Sequence, residues 1–591
     1  MPGIVKSSEE KHHGASPLTY VKTSKKEARK DKTMYIREKV EEQIKGIMAN
    51  ALNKSVATGA FSIETMPDLF LEMPREKEHG EYSTNMAMQL PKQTKKSPRF
   101  IAETLVENME TEGSYIDTVE IAGPGFINFK LKKTWQYSAI EEISALKENY
   151  GRSDKNTGKT FNMEFISANP TGPMHMGNAR GGAIGDILAS VAGWTGYEVT
   201  REFYINDAGN QIVKFGDSLD ARYRQLLGED IAFPKDGYQG ADITEHMKDF
   251  IALEGDQHLS LECDSRKKIL VDYALEKNLT QIKKDLKSYG IHYDVWFSEQ
   301  SLYDSGAIES TIELLKKGGF AYEQDGALWF KSTNFGSDKD DVLIRANGLP
   351  TYFMADIAYH MDKFINRKFD RCINVWGADH HGHIARLEGA LTAVGIDADQ
   401  FEVVIMQLVR LLRDGEVARM SKRQGKAIAL TDLIDEVGVD ATRFFFNLRS
   451  PDTHFDFDLD LAIEQSSDNP VFYVQYAHAR ICSIVRQMAE EVAEDVPLDL
   501  TRLIEKEEFH LLETLSLFPN EIIMAEERSD PSRITRYTIE LASAFHSFYN
   551  ACHVRIEDVT LMKARVALIQ STQQVIQNAL GILGVTAPER M

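Results

Sequence analysis

Residues 161–211 contain side chains whose types and spacing could support a chemical reaction. An apolar run there predicts a buried strand, a Pro/Gly turn follows, and a helix is predicted to open on His175-Met176-Gly177-Asn178. The first N–H groups of a helix lack partners within it and lie at the positive end of its dipole, so this opening suits an anionic phosphate. Gly177 would let a ligand approach the backbone, and His175 would add a donor.

A second candidate is the basic run from Arg419 to Lys426, far downstream. Lys422 could place its ammonium near phosphates as negative charge develops on them during a transfer reaction. Gly425 would give the run freedom to close over a ligand. The alternative is a solvated basic turn, which is what most runs of this kind are.

Both segments resemble the class I aminoacyl-tRNA synthetase family, and most closely its arginyl members. The strand, the Asn-Pro-Thr-Gly-Pro turn and the run INDAGNQ occur together in those enzymes, and the basic run is similar to their mobile lysine loop. Asn178 stands where the family usually has histidine, and Arg419 and Arg423 replace a lysine and a serine of the loop. Asn178 can contact ATP but cannot carry charge or transfer a proton. The resemblance spans residues 34–591.

The resemblance implies an ATP site built from several segments. The catalytic residues would be His175, Gly177, Asn178 and Lys422. Further ATP contacts would come from Met420 and Ser421 in the basic run and from Trp376, Gly377, Asp379 and His380 after another buried strand. Although histidines are frequent in that last segment, no metal site is expected, because the family forms its adenosine pocket there.

The expected substrate is arginine, whose planar fork of five donors needs carboxylates at the far end of its pocket. By resemblance, Tyr352 and Asp356 bind the guanidinium, while Asn169 and Glu299 assist with the polar groups of the substrate. The other substrate-side candidates are Glu164 and Ser167. The spacing of Tyr352 and Asp356 puts them on one helix face. Several of these residues also have a structural explanation. Glu164 could pair with a structural lysine or arginine, and Tyr352 could belong to the core. Asp356 could be an acid near a helix N-terminus, where the helix dipole stabilises its charge.

Composition narrows the class of protein. The chain has 591 residues, so several domains are expected, and its 42% hydrophobic content is normal for a globular protein. A formal net charge of −22 argues against a non-specific nucleic-acid binder, although a tRNA enzyme can be acidic if its basic residues share one face. The four cysteines are scattered, so neither a structural zinc site nor a disulfide framework is expected, and a cytoplasmic location fits best.

The predicted fold is α/β, with a doubly wound, Rossmann-type parallel sheet as the catalytic domain, a small α/β N-terminal domain and an all-α C-terminal bundle. We expect a disordered or non-native tail over 1–33 and an N-terminal domain over 34–131. The catalytic domain would span 132–458 with a helical insertion at about 215–290, and the helical domain would span 461–591.

The two outer domains resemble the tRNA-binding parts of the family. In the N-terminal domain, which contacts the tRNA elbow in the family, Tyr82 and Asn85 fall in the matching motif, although a capped helix start explains this motif equally well. In the C-terminal bundle, Gln475, Tyr476 and Arg480 are candidates for stacking on or hydrogen bonding to anticodon bases, with a core role as the alternative.

The predicted function is ligation of L-arginine to tRNA(Arg) through an arginyl adenylate. ATP with Mg²⁺ is the expected cofactor, and we expect a monomer without membrane contact. Two alternatives remain: a class I synthetase for another amino acid, such as glutamate or cysteine, and a non-catalytic RNA-binding relative, to which the departures at Asn178 and Arg419 would point. Retention of His175, Gly177 and Lys422 weighs against the second.

Overall fold

The computed structural model describes residues 34–74, 76–418, 428–488 and 496–591 of the chain. The chain divides into two compact units, Met1–Ala139 and Ile140–Met591. The predicted tail over 1–33 and the basic run from Arg419 to Lys426 lie outside the described residues. Within the described ranges, no helix combines the length and apolar character needed to cross a bilayer.

The first unit packs helices against a small antiparallel sheet. Its helices are α1 (Ile36–Ala57), α2 (Met86–Gln89), α3 (Pro91–Thr94) and α4 (Pro98–Glu107), and its strands are β1 (Tyr82–Thr84), β2 (Ile116–Ala122) and β3 (Phe126–Leu131). The strands pair in the order β1-β3-β2. Val40 and Ile44, spaced one helical turn apart on α1, are fully buried in one core with Phe129 of β3. This spacing places both side chains on one face of the helix.

A parallel sheet forms the centre of the second unit, as predicted. Its strands are β4 (Thr160–Glu164), β5 (Glu198–Ile205), β6 (Val295–Ser298), β10 (Arg371–Gly377) and β11 (Phe401–Met406). They pair in parallel in the order β11-β10-β4-β5-β6. The chain runs outward from β4 in one direction and later returns to its other side, so the order reverses between β4 and β10. Ligands of such sheets bind beyond the carboxyl ends of the strands at this reversal.

The helix that follows β4 packs on Phe165, the first residue after that strand. Helix α5 (Ser138–Leu146) comes before the sheet, and α6 (Met176–Trp194) follows β4. Gly185 in α6 is needed for this packing, because a Cβ there would lie 2.2 Å from Cγ of Phe165. The absence of a side chain at Gly185 lets the helix backbone approach the end of β4 closely.

A helical segment with its own core follows β5. It consists of α7 (Gly209–Leu226), α8 (Ala241–Glu254) and α9 (Cys263–Ser288). Phe215, Leu219 and Tyr223 of α7 are fully buried in a cluster with side chains of α8 and α9. The helices start at Gly209, a little before the residue 215 expected from the sequence.

Shorter elements complete the part of the second unit around the sheet. The helices are α10 (Gln300–Asp304), α11 (Ala307–Lys317), α12 (Tyr352–Met361), α13 (His381–Ala393), α14 (Leu430–Val437), α15 (Val439–Phe446) and α16 (Leu459–Ile463). Strands β7 (Ala321–Gln324), β8 (Ala327–Phe330) and β9 (Asp341–Ile344) form an antiparallel sheet, and β12 (Val409–Arg413), β13 (Glu416–Ala418) and β14 (Phe455–Asp458) form another small sheet.

The last part of the chain is helical, as predicted. It contains α17 (Pro470–Met488), α18 (Lys506–Glu527), α19 (Ser532–Ala551) and α20 (Val559–Leu583). Leu541 of α19 and Leu568 of α20 are fully buried, which is what amphipathic helices of a bundle require. The α/β fold class with a helical C-terminal region is therefore confirmed.

Candidate active site

The helix opening predicted at His175 is present at the start of α6. His175 is the N-cap residue, and its Nδ1 accepts a hydrogen bond from the N–H of Gly177 at 3.2 Å. Desolvation by the surrounding protein lowers the pKa of this imidazole even though the side chain is exposed. Because Nδ1 accepts, the proton of the neutral ring lies on Nε2, which remains a donor for a ligand.

The side chain of Asn178 completes the cap of the same helix. Its Oδ1 accepts from the backbone N–H of His175 at 3.0 Å, which closes a reciprocal capping box. Its amide nitrogen bonds no other residue in the described part of the chain. Asn178 therefore stabilises the helix opening, and the amide nitrogen is the part left for the predicted contact with ATP.

The loop after β4 holds two consecutive residues in the left-handed region. Ile166 has φ 66° and Ser167 has φ 44°, and a β-branched residue such as Ile166 rarely adopts this conformation. Two hydrogen bonds fix the side chain of Ser167: its Oγ donates to Glu164 at 3.0 Å and accepts from the N–H of Tyr204 at 3.1 Å. Strain of this kind persists where the surroundings fix the backbone, as they do at functional loops. The loop leads to Asn169, whose side chain is exposed.

Glu164 has the structural partner that the sequence left open. Its Oε2 accepts from Nζ of Lys363 at 2.8 Å, and that lysine is completely buried and also bonds Oδ1 of Asn374 at 3.1 Å. Glu164 thus neutralises a buried cation and joins β4 to the segment after α12. Its predicted contact with a substrate stays a prediction.

Glu299 is a buried carboxyl with an unused oxygen. The residue follows β6 directly and is 1% exposed. Oε1 accepts from the hydroxyl of Tyr303 at 3.4 Å, whereas Oε2 has no hydrogen-bond partner among the described residues. Burial, together with the charges of Asp356 and Asp207, raises the pKa of Glu299 to about 7. A buried acid in this state is expected to be stabilised by a cationic ligand.

Tyr352 and Asp356 lie in the first turns of α12, as the sequence predicts. Thr351 caps this helix by accepting from the N–H of Met354 at 3.4 Å. Tyr352 is 46% exposed, so it is not a core residue, and burial of its hydroxyl and the charge of Glu299 raise its pKa. Oδ2 of Asp356 accepts from Nε2 of His383 at 2.6 Å. Glu299 is therefore close enough to both Asp356 and Tyr352 for their charges to interact.

Buried hydrogen bonds fix α12 against the sheet. His360 bonds the carbonyl of Asp356 through Nδ1 at 2.8 Å and the amide of Asn374 on β10 through Nε2 at 3.0 Å. Burial lowers the pKa of His360 well below its usual range, so this imidazole is neutral at physiological pH. The position of Asp356 is thus tied to the strand that ends at Gly377.

The predicted adenosine-side residues lie at the end of β10. Trp376 and Gly377 are its last residues and are half-buried, while Asp379 and His380 are exposed in the turn that follows. Nε2 of His380 lies 3.4 Å from Oδ2 of Asp379. All four are at the same sheet edge as the loop after β4, because β4 and β10 are parallel neighbours.

The described segment that follows the basic run is bonded to the residues on either side of His175. The carbonyl of Ile428 accepts from the N–H of Met176 at 3.2 Å, and the carbonyl of Met174 accepts from the N–H of Leu430 at 3.1 Å. Met420, Ser421 and Lys422 lie outside the described residues, so their predicted contacts with ATP remain predictions. The described chain nevertheless resumes next to the N-terminal end of α6.

The N-terminal candidates differ in their accessibility. Tyr82 is 1% exposed and its hydroxyl donates to Glu41 at 3.3 Å, so its ring belongs to the core and has no surface for RNA. We correct the prediction for Tyr82 accordingly. Asn85 is exposed, and its Oδ1 accepts from the side chain of Gln89 at 2.8 Å.

The C-terminal candidates also differ. Nε2 of Gln475 is engaged by Oδ2 of Asp440 at 2.8 Å and the carbonyl of Thr586 at 2.9 Å, so this residue fixes the end of the chain. Tyr476 is 41% exposed and stacks near the ring of His546 at a centroid distance of 6.3 Å. Arg480 is exposed and bonds the hydroxyl of Tyr549 at 2.7 Å. Tyr476 and Arg480 therefore retain surface for a base.

Sequence reasoning did not assign a role to Asp207 or Lys363. Asp207 accepts from Oγ of Ser298 at 2.6 Å and from the N–H of Gln300 at 2.9 Å, which fixes the segment that carries Glu299. Asp207 belongs to the run INDAGNQ, which resembles the family, so the sequence offered a reason to consider it. Lys363 carries no local signal, because its partner Glu164 is remote in sequence.

Comparison with known proteins covers almost the whole chain. Three family models match in succession: the arginyl tRNA synthetase N terminal domain over residues 38–131, the class I (R) tRNA synthetase catalytic domain over residues 139–451, and the DALR anticodon binding domain over residues 474–591. An arginine–tRNA ligase from Ruminiclostridium cellulolyticum is 55% identical over 561 residues, which cover 94% of this chain and 100% of that protein.

Two further relatives agree with this result. An arginine–tRNA ligase from Caldanaerobacter subterraneus is 55% identical over 559 residues, covering 94% of this chain and 99% of that protein. A solved structure of arginyl-tRNA synthetase from Thermus thermophilus has a TM-score of 0.72 at 20% identity and covers 93% of this chain and 100% of its own. At that identity, the structure shows that the two chains share a fold.

Proposed function

The chain belongs to the arginyl-tRNA synthetase family, and on that premise we propose that it ligates L-arginine to its cognate tRNA in translation. In the first step, the carboxylate of arginine attacks the α-phosphate of ATP, and pyrophosphate leaves. In the second step, the 2′-hydroxyl of the terminal adenosine of the tRNA attacks the arginyl adenylate, and AMP leaves. No protein side chain needs to act as a nucleophile, so the protein contributes positioning and electrostatic stabilisation.

The observation that carries this proposal is the carboxylate oxygen of Glu299 that has no hydrogen-bond partner in the described part of the chain. It is buried near Asp356, whose negative charge raises the cost of ionising Glu299. A permanently charged guanidinium supplies both the charge and the donors that this site lacks. We propose that Glu299 and Asp356 bind the guanidinium, that Tyr352 covers it, and that Asn169 contacts the other polar groups of arginine.

This arrangement supports selection of arginine over lysine. Lysine offers a compact ammonium instead of a planar fork, so it would leave at least one buried carboxylate oxygen without a donor. A site that leaves a buried polar group unpaired can reject an analogue by ~10⁴-fold. The same negative charge disfavours glutamate as the substrate.

The helix opening at His175 supports the ATP side of the proposal. We propose that the N-terminus of α6, with Nε2 of His175 and the amide of Asn178, receives phosphate oxygens of ATP. Lys422 lies six residues before Ile428, whose carbonyl accepts from the N–H of Met176, and we propose that its ammonium contacts the same phosphates. Mg²⁺ would enter with ATP and neutralise part of the phosphate charge.

The tRNA contacts remain proposals for both units. Asn85 of the first unit and Tyr476 and Arg480 of the second are exposed and carry the groups that hydrogen bond to or stack on bases. We also propose that the protein acts as a monomer in the cytoplasm, where tRNA charging supplies ribosomes. Light scattering of the purified protein, alone and with tRNA, measures the first of these properties.

A charging assay with a panel of amino acids tests the function. The protein is incubated with ATP, Mg²⁺, tRNA and each of the standard amino acids, and aminoacyl-tRNA is measured. Arginine alone should be attached. Attachment of glutamate or cysteine would assign another class I specificity, and no attachment of any amino acid would indicate a non-catalytic relative.

The variant Lys422→Ala separates catalysis from binding. Single-turnover formation of the adenylate should slow strongly, because the developing phosphate charge loses its cation, while affinity for tRNA changes little. An unchanged single-turnover rate would contradict the role proposed for Lys422. Little ATP–pyrophosphate exchange is expected without tRNA, as in the family.

A further inference from the structure

A histidine outside the predicted site residues bonds the proposed guanidinium ligand Asp356. Nε2 of His383 on α13 lies 2.6 Å from Oδ2 of Asp356 on α12. Oδ1 of Asp356 accepts no hydrogen bond from a side chain in the described part of the chain. One oxygen of the carboxylate is therefore held by the protein, and the other is left for a ligand.

The second ring nitrogen of His383 fixes which atom carries the proton. Nε of Arg386 donates to Nδ1 of His383 at 2.5 Å. A guanidinium has donors only, so Nδ1 must present its lone pair, and the ring proton must lie on Nε2. His383 is then a neutral donor to Asp356, and the full negative charge of Asp356 remains available to a cation.

Packing fixes the orientation of this pair. The ring of His383 stacks on Trp376 at a centroid distance of 5.4 Å and meets the edge of Phe353 at 5.7 Å. Arg386 lies over Phe353 at 5.3 Å and is bonded to Oδ1 of Asp341 at 3.2 Å. A chain of bonded side chains thus runs from Asp341 through Arg386 and His383 to Asp356.

We propose that His383 is a positioning residue of the arginine site, with its tautomer set by Arg386. It holds the carboxylate of Asp356 in one orientation before arginine binds, so that binding does not have to order this side chain. The inference rests on the proposed function, since it takes Asp356 to be a ligand of the guanidinium. His383 itself contacts neither arginine nor ATP in this role.

The main test measures arginine KM, ATP KM and kcat for aminoacylation by the variant His383→Phe. Phenylalanine keeps a ring between Trp376 and Phe353 but cannot donate to Asp356. Since a hydrogen bond to a charged group is lost, arginine KM should rise about tenfold, while ATP KM and kcat change less than about threefold. His383→Gln keeps a donor and should restore most of the arginine affinity. His292→Phe, which changes an exposed histidine before β6, is the matched control.

A double-mutant cycle shows whether His383 acts through Asp356. Asp356→Asn should raise arginine KM, and adding His383→Phe to it should raise KM little further, because the bond is already weakened. Two effects that multiply in full would overturn the proposal, as would an unchanged arginine KM in folded His383→Phe. If Asp356→Asn itself leaves arginine KM unchanged, the assignment of the arginine site is wrong. If only Asp356→Asn has an effect, that assignment stands and the role of His383 is refuted.

A third variant keeps the test decisive if His383→Phe does not fold. Arg386→Met leaves the imidazole in place but removes the donor that fixes its tautomer. Arginine KM should rise severalfold with kcat nearly unchanged, because part of the protein would carry the proton on Nδ1 and lose the bond to Asp356. An unchanged arginine KM in Arg386→Met would overturn the proposal.

Discussion

Replacement of the buried carboxyl group of Glu299 should make the stability of the arginine-free protein less sensitive to alkaline pH. In the folded state, the pKa of Glu299 rises from 4.5 to about 7 because of burial and of the charges on Asp356 and Asp207. At pH values between these two pKa values, the unfolded chain has lost the proton and the folded chain has kept it. The folded state therefore binds more protons, and the free energy of unfolding falls as pH rises.

The size of the effect follows from the change in pKa. About 1.4 kcal/mol per pKa unit gives roughly 3 kcal/mol of lost stability at pH values above both pKa values. Between pH 5 and pH 8, the loss is about 2.5 kcal/mol. The variant Glu299→Gln has no proton to exchange, so its stability relative to the natural protein should increase by about this amount over the same interval.

Thermal unfolding at pH 5, 6, 7 and 8 in the absence of arginine tests this prediction. The melting temperature of Glu299→Gln should move upward relative to the natural protein by a few degrees between pH 5 and pH 8. Glu309→Gln, which removes the charge of an exposed glutamate on α11, controls for net charge and should show no such trend. A difference between Glu299→Gln and the natural protein that stays constant from pH 5 to pH 8 would refute the reasoning.

Three further predictions follow from the site. Arginine affinity measured by calorimetry should be about tenfold weaker at pH 6 than at pH 8, because Glu299 must lose its proton to bind a cation, and Glu299→Gln should remove this dependence. Lys363→Met leaves Glu164 as an unpaired buried charge and should lower the unfolding free energy by about 3–5 kcal/mol, measured by denaturation, whereas a loss below 1 kcal/mol would contradict the pairing. Asn178→Ala removes one hydrogen bond of the capping box and should lower the unfolding free energy, measured by denaturation, by about 1 kcal/mol. Asn178→Asp keeps the acceptor and should melt like the natural protein.

Much of the fold and part of the site could be predicted from the sequence, because the features concerned are local. The helix that opens at His175 is determined by residues within one turn, since His175 and Asn178 cap it themselves. Likewise, the position of the candidate residues at one edge of the sheet follows from parallel strands, whose carboxyl ends must meet. Tyr352 and Asp356 share one helix, so their spacing alone put them together.

The partners of the charged residues could not be predicted in this way. Nothing near Glu164 in the sequence indicates that Lys363 neutralises it, and nothing around His383 indicates that it bonds Asp356. Tyr82 matches a family motif, yet its side chain is buried. In each case, the outcome depends on which distant segment packs against the residue.

The sequence by itself determined the helix caps, the α/β class and the family of this protein, because these depend on short-range spacing and on matching motifs. Only the tertiary structure decided which acids are neutralised and which remain available. Glu164 is paired with a buried lysine, whereas one oxygen of the buried Glu299 accepts no hydrogen bond from the described residues and lies near other acids. The physical reason is that the free energy of a buried charge is set by neighbours brought close through folding, and their proximity leaves no trace in local sequence.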